Sequence, residues 1–378
     1  ASDQLGRKVH LAVICVPAWF TDRQRQAVLE AAQLAELDVV QIVSEPTAVA
    51  IAFGAGRALA RKRLLVYDLG GGTFDASVLE ATGDDFEVVS TGGDNFLGGL
   101  DFDLRVADEL ERVFARARCG TLLDDALTRQ RIRDAAEAGK IALSDRPDTQ
   151  VRVPWAGSHE GAPVDLDVQL TRDRLEALTV DLVDRATELT RAVLEARQLA
   201  PGSINEILLV GGQSQMPLVR RAVEELFGKA PTTEVEPHDG VAIGAAMLGR
   251  AARDDDRGFL SLKLSEVLTA PIGIGMRDGK LHRVLDRNTR LPCQKSLSLP
   301  LGAGGQLRLA LYQGDEVLAD RNEYLGALTV QADVRGELSL DFDVSRDGVL
   351  SLSARTGDGR AVAVSLATAD APDEVRAA

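Results

Sequence analysis

Asp68-Leu69-Gly70-Gly71-Gly72-Thr73-Phe74-Asp75 is the stretch on which the reading of this chain turns. It lies between two apolar runs, Leu64–Tyr67 and Ala76–Leu79, so the sequence predicts a strand, a tight turn and a second strand. Three successive glycines let such a hairpin bring backbone N–H groups against an anion with no Cβ in the way. Thr73 adds a hydroxyl donor. Asp68 and Asp75 frame the turn with carboxylates that can reach a magnesium ion through its water shell. A glycine-rich hairpin without a ligand is the plain alternative, and two flanking aspartates argue against it.

Outward from this loop, strand and helix patterns alternate. His10–Val16, Val39–Val43 and Ile207–Val210 are short apolar runs, each closed by Pro or Gly within a few residues. Thr21 is placed to cap a helix running to about Leu37. Arg172–Leu199 carries Leu175, Leu178, Leu182, Ala186, Leu189 and Val193 on one stripe, with Thr171 as its N-cap. Alternation of this kind means an α/β domain. Gly211-Gly212 and Gly98-Gly99 form two more glycine turns, each of which alone reads equally well as an ordinary loop.

The pattern changes after residue 250. Asp254-Asp255-Asp256-Arg257-Gly258 is a solvated break, and Phe259–Leu264 alternates briefly, so residues 253–266 read as a linker. Beyond it the helical period is lost. Leu338, Leu340, Phe342 and Val344 alternate with polar residues, Asp347-Gly348 marks a turn, and Leu350, Leu352 and Ala354 resume. Leu307, Leu309 and Leu311 alternate in the same way, which predicts an antiparallel sandwich over residues 267–378. Asp370–Glu374 has the composition of a helix start.

With 378 residues the chain is long enough for two or three domains. Its net charge of -15 excludes a general nucleic-acid binder, which needs a basic face. No apolar run is long enough to span a membrane. Cys15, Cys119 and Cys293 are odd in number and far apart, with no metal or disulfide spacing, which fits a reducing cytoplasm. The four histidines are scattered and make no metal cluster.

Several segments resemble, in order along nearly the whole chain, the seventy-kilodalton heat-shock (DnaK-type) chaperone family. They are Val16–Asp22 with Arg23-Gln24-Arg25, Ser44–Ala48, the Asp68–Asp75 loop, Leu97–Asp103, Val210–Pro217 and Val241–Ala246. Glu137, Lys140 and Ser144 match the spacing of the family's adenosine-holding residues, and Tyr312–Asp315 and Leu325-Gly326 match its sandwich. The resemblance implies an α/β actin-like (ribonuclease-H-like) ATPase domain followed by an antiparallel β-sandwich. Residues 1–60 would be a remnant of ATPase lobe I, 61–252 lobe II, 253–266 the interdomain linker and 267–378 the peptide-binding domain. It further implies ATP/ADP and Mg2+ as ligands, and ATP hydrolysis controlling release of extended hydrophobic segments of unfolded polypeptide. A J-domain cochaperone and a nucleotide-exchange factor are the implied partners.

Carried onto this sequence, the resemblance makes Glu45 similar to the carboxylate that orients the attacking water, with Asp68 and Thr73 beside it as catalytic residues. Gly70, Gly71, Gly72, Thr73, Gly211 and Gly212 would hold phosphate, and Asp68 and Asp75 would hold Mg2+ through water. Glu137, Lys140 and Ser144 fall on one helical face and would line the adenosine. Pro17 and Arg25 resemble the proline switch and its relay arginine. Ile272, Ile274, Leu299, Leu307 and Leu309 are similar to the peptide cleft, although by pattern alone they read as sandwich core. Read without the resemblance, Glu45 is a surface carboxylate before a helix, Pro17 a strand end, and Arg25 a helix-face charge.

The sequence departs from the family's pattern in several places. It begins partway through the ATPase domain, so the first phosphate loop and catalytic lysine would lie before Ala1, and ATP hydrolysis by this chain alone would be poor or absent. Gln215 stands where an arginine packs on adenine, and His238 where an aspartate is usual. Lys263 and Ser265 replace apolar linker residues, and Arg277 replaces an apolar residue arching over the peptide. The Pro300–Gly305 segment is glycine-rich and slightly short, and by the resemblance the helical lid would fall beyond these 378 residues. These departures keep open a nucleotide-independent peptide-binding fragment or degenerate paralogue. A different actin-superfamily protein, such as a sugar kinase, is disfavoured by the sandwich.

Overall fold

The computed structural model describes residues 2–55, 57, 59–117, 120–254, 263–301, 306–331 and 336–367. Cys119, the Asp370–Glu374 helix start, most of Pro300–Gly305, and the linker residues 255–262 lie outside them. In chain order the elements begin with α1 (Ser2–Leu5), β1 (Leu11–Val16), α2 (Asp22–Leu34), β2 (Asp38–Ser44) and α3 (Glu45–Gly54). They continue with β3 (Lys62–Leu69), β4 (Phe74–Thr82), β5 (Asp85–Asp94), α4 (Gly99–Arg116), β6 (Thr121–Leu122), α5 (Ala126–Asp145), β7 (Asp148–His159) and β8 (Ala162–Thr171). Next come α6 (Arg172–Glu195), β9 (Glu206–Val210), α7 (Pro217–Phe227), α8 (Gly240–Asp254) and β10 (Lys263–Ser265). The rest is β: β11 (Ile272–Gly275), β12 (Leu281–Leu285), β13 (Cys293–Leu301), β14 (Gln306–Gln313), β15 (Glu323–Gln331), β16 (Gly336–Val344), β17 (Leu350–Thr356), β18 (Ala361–Val362) and β19 (Val364–Ala367).

The chain divides into two compact units. Unit 1 comprises Ala1–Arg61, Leu79–Thr91 and Val241–Ala378, and unit 2 comprises Lys62–Val78 and Gly92–Gly240.

In unit 2, β3 pairs in parallel with β9, from Leu64 opposite Glu206 to Asp68 opposite Val210. This register ends the two strands together, so the Asp68–Thr73 loop and the Gly211-Gly212 turn emerge side by side. The carboxyl ends of parallel strands are where open α/β sheets place ligands. Both strands are continuous apolar runs because both faces are covered, and Leu64, Leu65, Val66 and Leu208 are fully buried. α6 starts on its expected cap, Thr171, whose hydroxyl accepts from the Arg174 N–H at 3.2 Å. Its stripe of Leu175, Leu182, Ala186 and Val193 is buried. β7 and β8 form a long antiparallel hairpin, with β6 on its edge.

Unit 1 holds the parallel pair β1–β2, in register from Leu11 opposite Asp38 to Val16 opposite Ser44. Thr21 and Gln24 build a reciprocal capping box at the start of α2: the Thr21 N–H donates to Gln24 Oε1 at 2.9 Å, and the Gln24 N–H to Thr21 Oγ1 at 3.4 Å. α2 stops at Leu34, three residues before the expected end. There Glu36 turns left-handed (φ 56), and the Leu37 N–H reaches back to the Ala32 carbonyl at 2.9 Å, which is a Schellman closure. Inside the segment expected as linker, β10 adds in parallel to β5, with Lys263–Ser265 opposite Asp85–Glu87.

The same unit contains two antiparallel sheets, ordered β12-β11-β14-β15-β19 and β13-β16-β17-β18. One apolar core joins them: Ile272, Ile274, Leu311, Leu328 and Val330 from the first meet Leu338, Leu340, Phe342, Leu350 and Ala354 from the second. The β16–β17 hairpin pairs Val344 with Leu350 and turns through Asp347-Gly348, where Gly348 takes φ 74.

Candidate functional site

The loop between β3 and β4 is closed by the Gly70 N–H donating to the Thr73 carbonyl at 3.0 Å. Gly71 and Gly72 at its tip are exposed. The first amides of α4 are directed at this loop: the Gly99 N–H donates to the Gly70 carbonyl at 2.9 Å and the Leu100 N–H to the Gly71 carbonyl at 2.8 Å. Groups that helix starts leave unpaired thus fix the loop's carbonyls. The Gly98 N–H is held by Asp101 Oδ2 at 2.8 Å. A Cβ on Gly98 would lie 2.6 Å from the Gly72 backbone, so only glycine permits this approach. Gly211 is equally constrained: its φ is +81, and a Cβ there would sit 2.3 Å from the Leu69 carbonyl and 2.8 Å from Asp68 Oδ1.

Asp68 and Asp75 lie at the two strand ends and are 8% and 2% exposed. Burial alone pushes the Asp68 carboxyl up to about 6. A buried carboxylate with so weak a hold on its charge is a natural counterion for a cation. Among the described residues no cluster of three or more His, Cys, Asp or Glu side chains is placed to cage a metal. A magnesium ion that keeps most of its water and leans on one or two carboxylates is the cation this donor set fits.

A cavity of about 770 Å³ opens beside the loop, within the range of small-molecule sites. Gly70, Gly71 and Gly99 border it at the loop; Glu137, Lys140, Ile141 and Ser144 of α5 line one wall; Gly212, Gln213 and Gln215 line another. The expected residues Gly70, Gly71, Glu137, Lys140, Ser144 and Gly212 are thus brought to one space, although they come from separate segments of chain. The Lys140 ammonium is buried, paired with Asp103 Oδ1 at 2.8 Å, and donates to the Gly99 carbonyl at 3.1 Å. An ammonium has three donors, so a third N–H remains beside the loop. Asp103, Gln213 and Arg220 at this cavity were not among the expected site residues, and Gln215 and His238, noted as departures from the family's pattern, line it too.

The sequence matches the family model described as Hsp70 protein over residues 1–373. The chain belongs to the Hsp70 family. Hsp70 membership carries an actin-like ATPase fold, and the family generally binds ATP or ADP, unfolded polypeptides and cochaperones. Among the described residues no helix is long and apolar enough to cross a membrane.

The other residues expected from the Hsp70 pattern lie in unit 1. Glu45 opens α3, is half-buried, and with Glu266 adds to the burial that pushes the Cys15 thiol up to about 12. Pro17 follows β1, and its carbonyl accepts from the Phe20 N–H at 3.1 Å. Arg25, read from sequence as a helix-face charge, is 4% exposed. Its guanidinium donates to the Phe20 carbonyl at 3.3 Å and to the Asp347 carbonyl at 3.2 Å, in the turn between β16 and β17.

Next to it, Asp22 is a buried junction that sequence reasoning missed. Its Oδ1 accepts from the Leu350 N–H at 2.6 Å and its Oδ2 from Gln26 at 2.7 Å, while its own N–H donates to Gln313 Oε1 at 2.9 Å. Burial raises its carboxyl despite these donors. Glu266 makes a similar tie, accepting at Oε1 from the Ser44 N–H (3.0 Å) and hydroxyl (2.8 Å). Partners about 220 to 330 positions apart leave no periodic trace in sequence.

Of the expected peptide-contacting residues, Ile272 and Ile274 are buried in the shared core, and Leu299, Leu307 and Leu309 pack partly exposed against it. Arg277 is exposed in the β11–β12 turn.

Proposed function

We propose that unit 2 binds ATP or ADP with Mg2+, and that the chain is an ATP-regulated chaperone acting on extended hydrophobic segments of unfolded proteins. The observation that carries this is the convergence of the glycine loop, the Lys140 ammonium and the Gly212 turn on one nucleotide-sized cavity, with the buried Asp68 at the foot of the loop. In this reading the loop residues Gly70, Gly71, Gly72 and Thr73, with Gly211 and Gly212, form the phosphate cradle. Asp68 and Asp75 orient the waters of the magnesium ion, which when bound neutralises phosphate charge. Glu137, Lys140 and Ser144 hold the nucleoside, and Glu45 and Thr73 belong to the water-orienting set.

Residues 1–60 and 61–252 then act as parts of the two ATPase lobes, 253–266 as the coupling segment and 267–378 as the peptide-binding sandwich, with Leu299, Leu307 and Leu309 at the cleft beside Ile272 and Ile274. Pro17 and Arg25 relay nucleotide state, which the Arg25 bond to the Asp347 carbonyl supports. A J-domain cochaperone and a nucleotide-exchange factor complete the cycle. Free thiols at Cys15 and Cys293 suit a reducing cytoplasm.

The test is calorimetric titration of ADP with Mg2+ into the chain and its Asp68→Asn variant. Magnesium-dependent binding that the variant loses supports the reading. No binding by the parent chain would leave a peptide holder that works without nucleotide.

A further inference from the structure

The apolar core between the two antiparallel sheets is open at one end. Along the inner face of β14, Leu311 is fully buried, whereas Leu309 and Leu307 are half-buried. Their cross-strand neighbours on β15, Leu328 and Val330, are fully covered, so the opening is on the other side of β14. There β11 reaches only part of the way: it pairs Ile272–Ile274 with Gln313–Leu311 and ends at Gly275. Beyond that point the Gln306–Ala310 edge of β14 has no strand against it among the described residues. Leu299, half-buried on β13, the edge strand of the other sheet, packs on the same core. Half-buried leucines beside an unpaired strand edge suit an extended chain that offers backbone hydrogen bonds and alternate apolar side chains.

What stands at this opening is cationic. The register of Ile274 opposite Leu311, carried onward, brings Met276 level with Leu309 and Arg277 level with Arg308. Met276 to Lys280 form the tip of the β11–β12 hairpin, closed by the Met276 N–H donating to the Lys280 carbonyl at 2.8 Å. Met276 is 48% exposed, an apolar side chain at the mouth. In a chain of net charge -15, residues 276–295 carry Arg277, Lys280, Arg283, Arg287, Arg290 and Lys295 against only Asp278 and Asp286. Most of these cations are engaged. Lys280 lies 3.7 Å from Asp278, Arg287 2.8 Å from Asp315 and Arg290 3.4 Å from Glu87, and Arg283 donates to the Asp315 carbonyl at 2.7 Å. Arg277 and Lys295 are exposed and have no ion pair or side-chain hydrogen bond among the described residues. Lys295 lies about 13 Å back along β13 from Leu299, which leaves Arg277 as the uncommitted cation at the mouth.

We propose that this end of the sandwich takes apolar segments flanked by acidic side chains, and that Arg277 is the residue that selects them. The proposal rests on the peptide-binding reading of residues 267–378 and goes beyond it by naming the class of segment. An apolar residue at position 277 would leave flanking charge unread. A guanidinium there draws a carboxylate into a two-pronged pair and repels lysine or arginine. The pair is exposed, so the selection is modest and salt weakens it.

The experiment is fluorescence anisotropy at low and high salt, with labelled peptides that share one leucine-rich core and carry glutamate, glutamine or lysine flanks. The parent chain should bind the glutamate-flanked peptide about 2- to 5-fold more tightly than the glutamine-flanked one, the gain one exposed ion pair supplies. The lysine-flanked peptide should bind most weakly, and high salt should narrow all the differences. Arg277→Gln brings the three affinities together, and Arg277→Glu reverses their order. Unlabelled glutamine-flanked peptide should displace all three, which places them in one cleft. Equal binding of glutamate- and glutamine-flanked peptides by the parent chain at low salt would overturn the selection by Arg277. So would an order unchanged in Arg277→Glu, or a glutamate-flanked peptide that the glutamine-flanked one fails to displace. A chain that binds none of the three removes the peptide-binding reading and this inference with it.

Discussion

Replacing Asp68 by Asn should stabilise unit 2 while abolishing the magnesium-dependent nucleotide binding proposed for it. The carboxyl is 8% exposed, and burial moves it from 3.8 to about 6. A displacement of that size makes ionisation about 3 kcal/mol harder in the folded state than in the unfolded one. The direction with pH follows from proton counts. Between about pH 4 and 6 the folded state holds this proton more tightly, so stability falls as pH rises, by up to about 1.4 kcal/mol per pH unit from this group. Below about pH 4 both states are protonated and the penalty is gone; above about pH 6 it is present in full. The asparagine side chain carries no charge, so the difference between variant and parent should grow from near zero at about pH 4 to about 1–3 kcal/mol at about pH 7.5, once the cost of desolvating the new amide is subtracted. Urea unfolding in EDTA, followed by Trp155 fluorescence in a Trp19→Phe background, reads unit 2 alone, because Trp19 lies in unit 1 and Trp155 in unit 2. A variant no more stable than the parent at neutral pH, with a difference flat across pH, would refute the claim that Asp68 is held at an electrostatic cost.

Other substitutions probe the remaining ties. Gly211→Ala puts a Cβ 2.3 Å from the Leu69 carbonyl at a backbone φ of +81; it should cost about 2–4 kcal/mol and weaken nucleotide binding, and a neutral effect in urea unfolding would mean the turn is built differently. Asp22→Ala removes the acceptor of the Leu350 N–H, a loss of about 1–3 kcal/mol that should appear as faster hydrogen exchange at that amide. Asp22→Asn, which keeps an oxygen there, should largely restore protection, and exchange indifferent to both variants would sink the junction. Phe342→Ala empties a fully buried position in the core between the two antiparallel sheets; a drop of about 3–5 kcal/mol by chemical denaturation is expected, and less than about 1 would mean that core is not shared.

Much of the local structure was legible because local chemistry decides it. Thr21 with Gln24, Thr171 before its amphipathic run, and Asp347-Gly348 between alternating strands each state their own geometry within a few residues. Less legible are the places where neighbouring or distant contacts decide the outcome. Leu37 looked like a continuation of α2, yet its N–H turns back to Ala32 through a left-handed Glu36 that no residue preference announces. Lys263 and Ser265 looked like defects in an apolar linker. As part of the edge strand β10, with Lys263 exposed and Leu264 half-buried, polar residues are tolerated there. Without the resemblance Arg25 reads as a helix-face charge, and Asp22 drew no reading, because their partners at Phe20, Asp347, Leu350 and Gln313 lie mostly hundreds of residues away. In the candidate site, the glycine loop and the spacing of Glu137, Lys140 and Ser144 were visible as pattern. The Lys140–Asp103 and Gln215–His238 pairs were not, since nothing periodic links residues so far apart in the chain.

The two units use buried charge in opposite ways. In unit 1 the Asp22 carboxylate is surrounded by donors: its two side-chain oxygens are met by Leu350 and Gln26, and burial costs are partly offset by those bonds. Such a group holds a structure together, and a lost partner leaves an unsatisfied polar atom. Asp68 in unit 2 is raised by burial, with no offsetting donor among the described residues. Its surroundings are also rigid: α4 amides pin the loop carbonyls, and glycines at 98 and 211 bring backbones within contact of the loop and of Asp68 itself. A fixed, undercompensated carboxylate in a pinned glycine loop is costly to keep unless something else supplies the missing charge, and that is the physical argument behind the proposal of a cation-assisted phosphate site at this end of the β3–β9 pair.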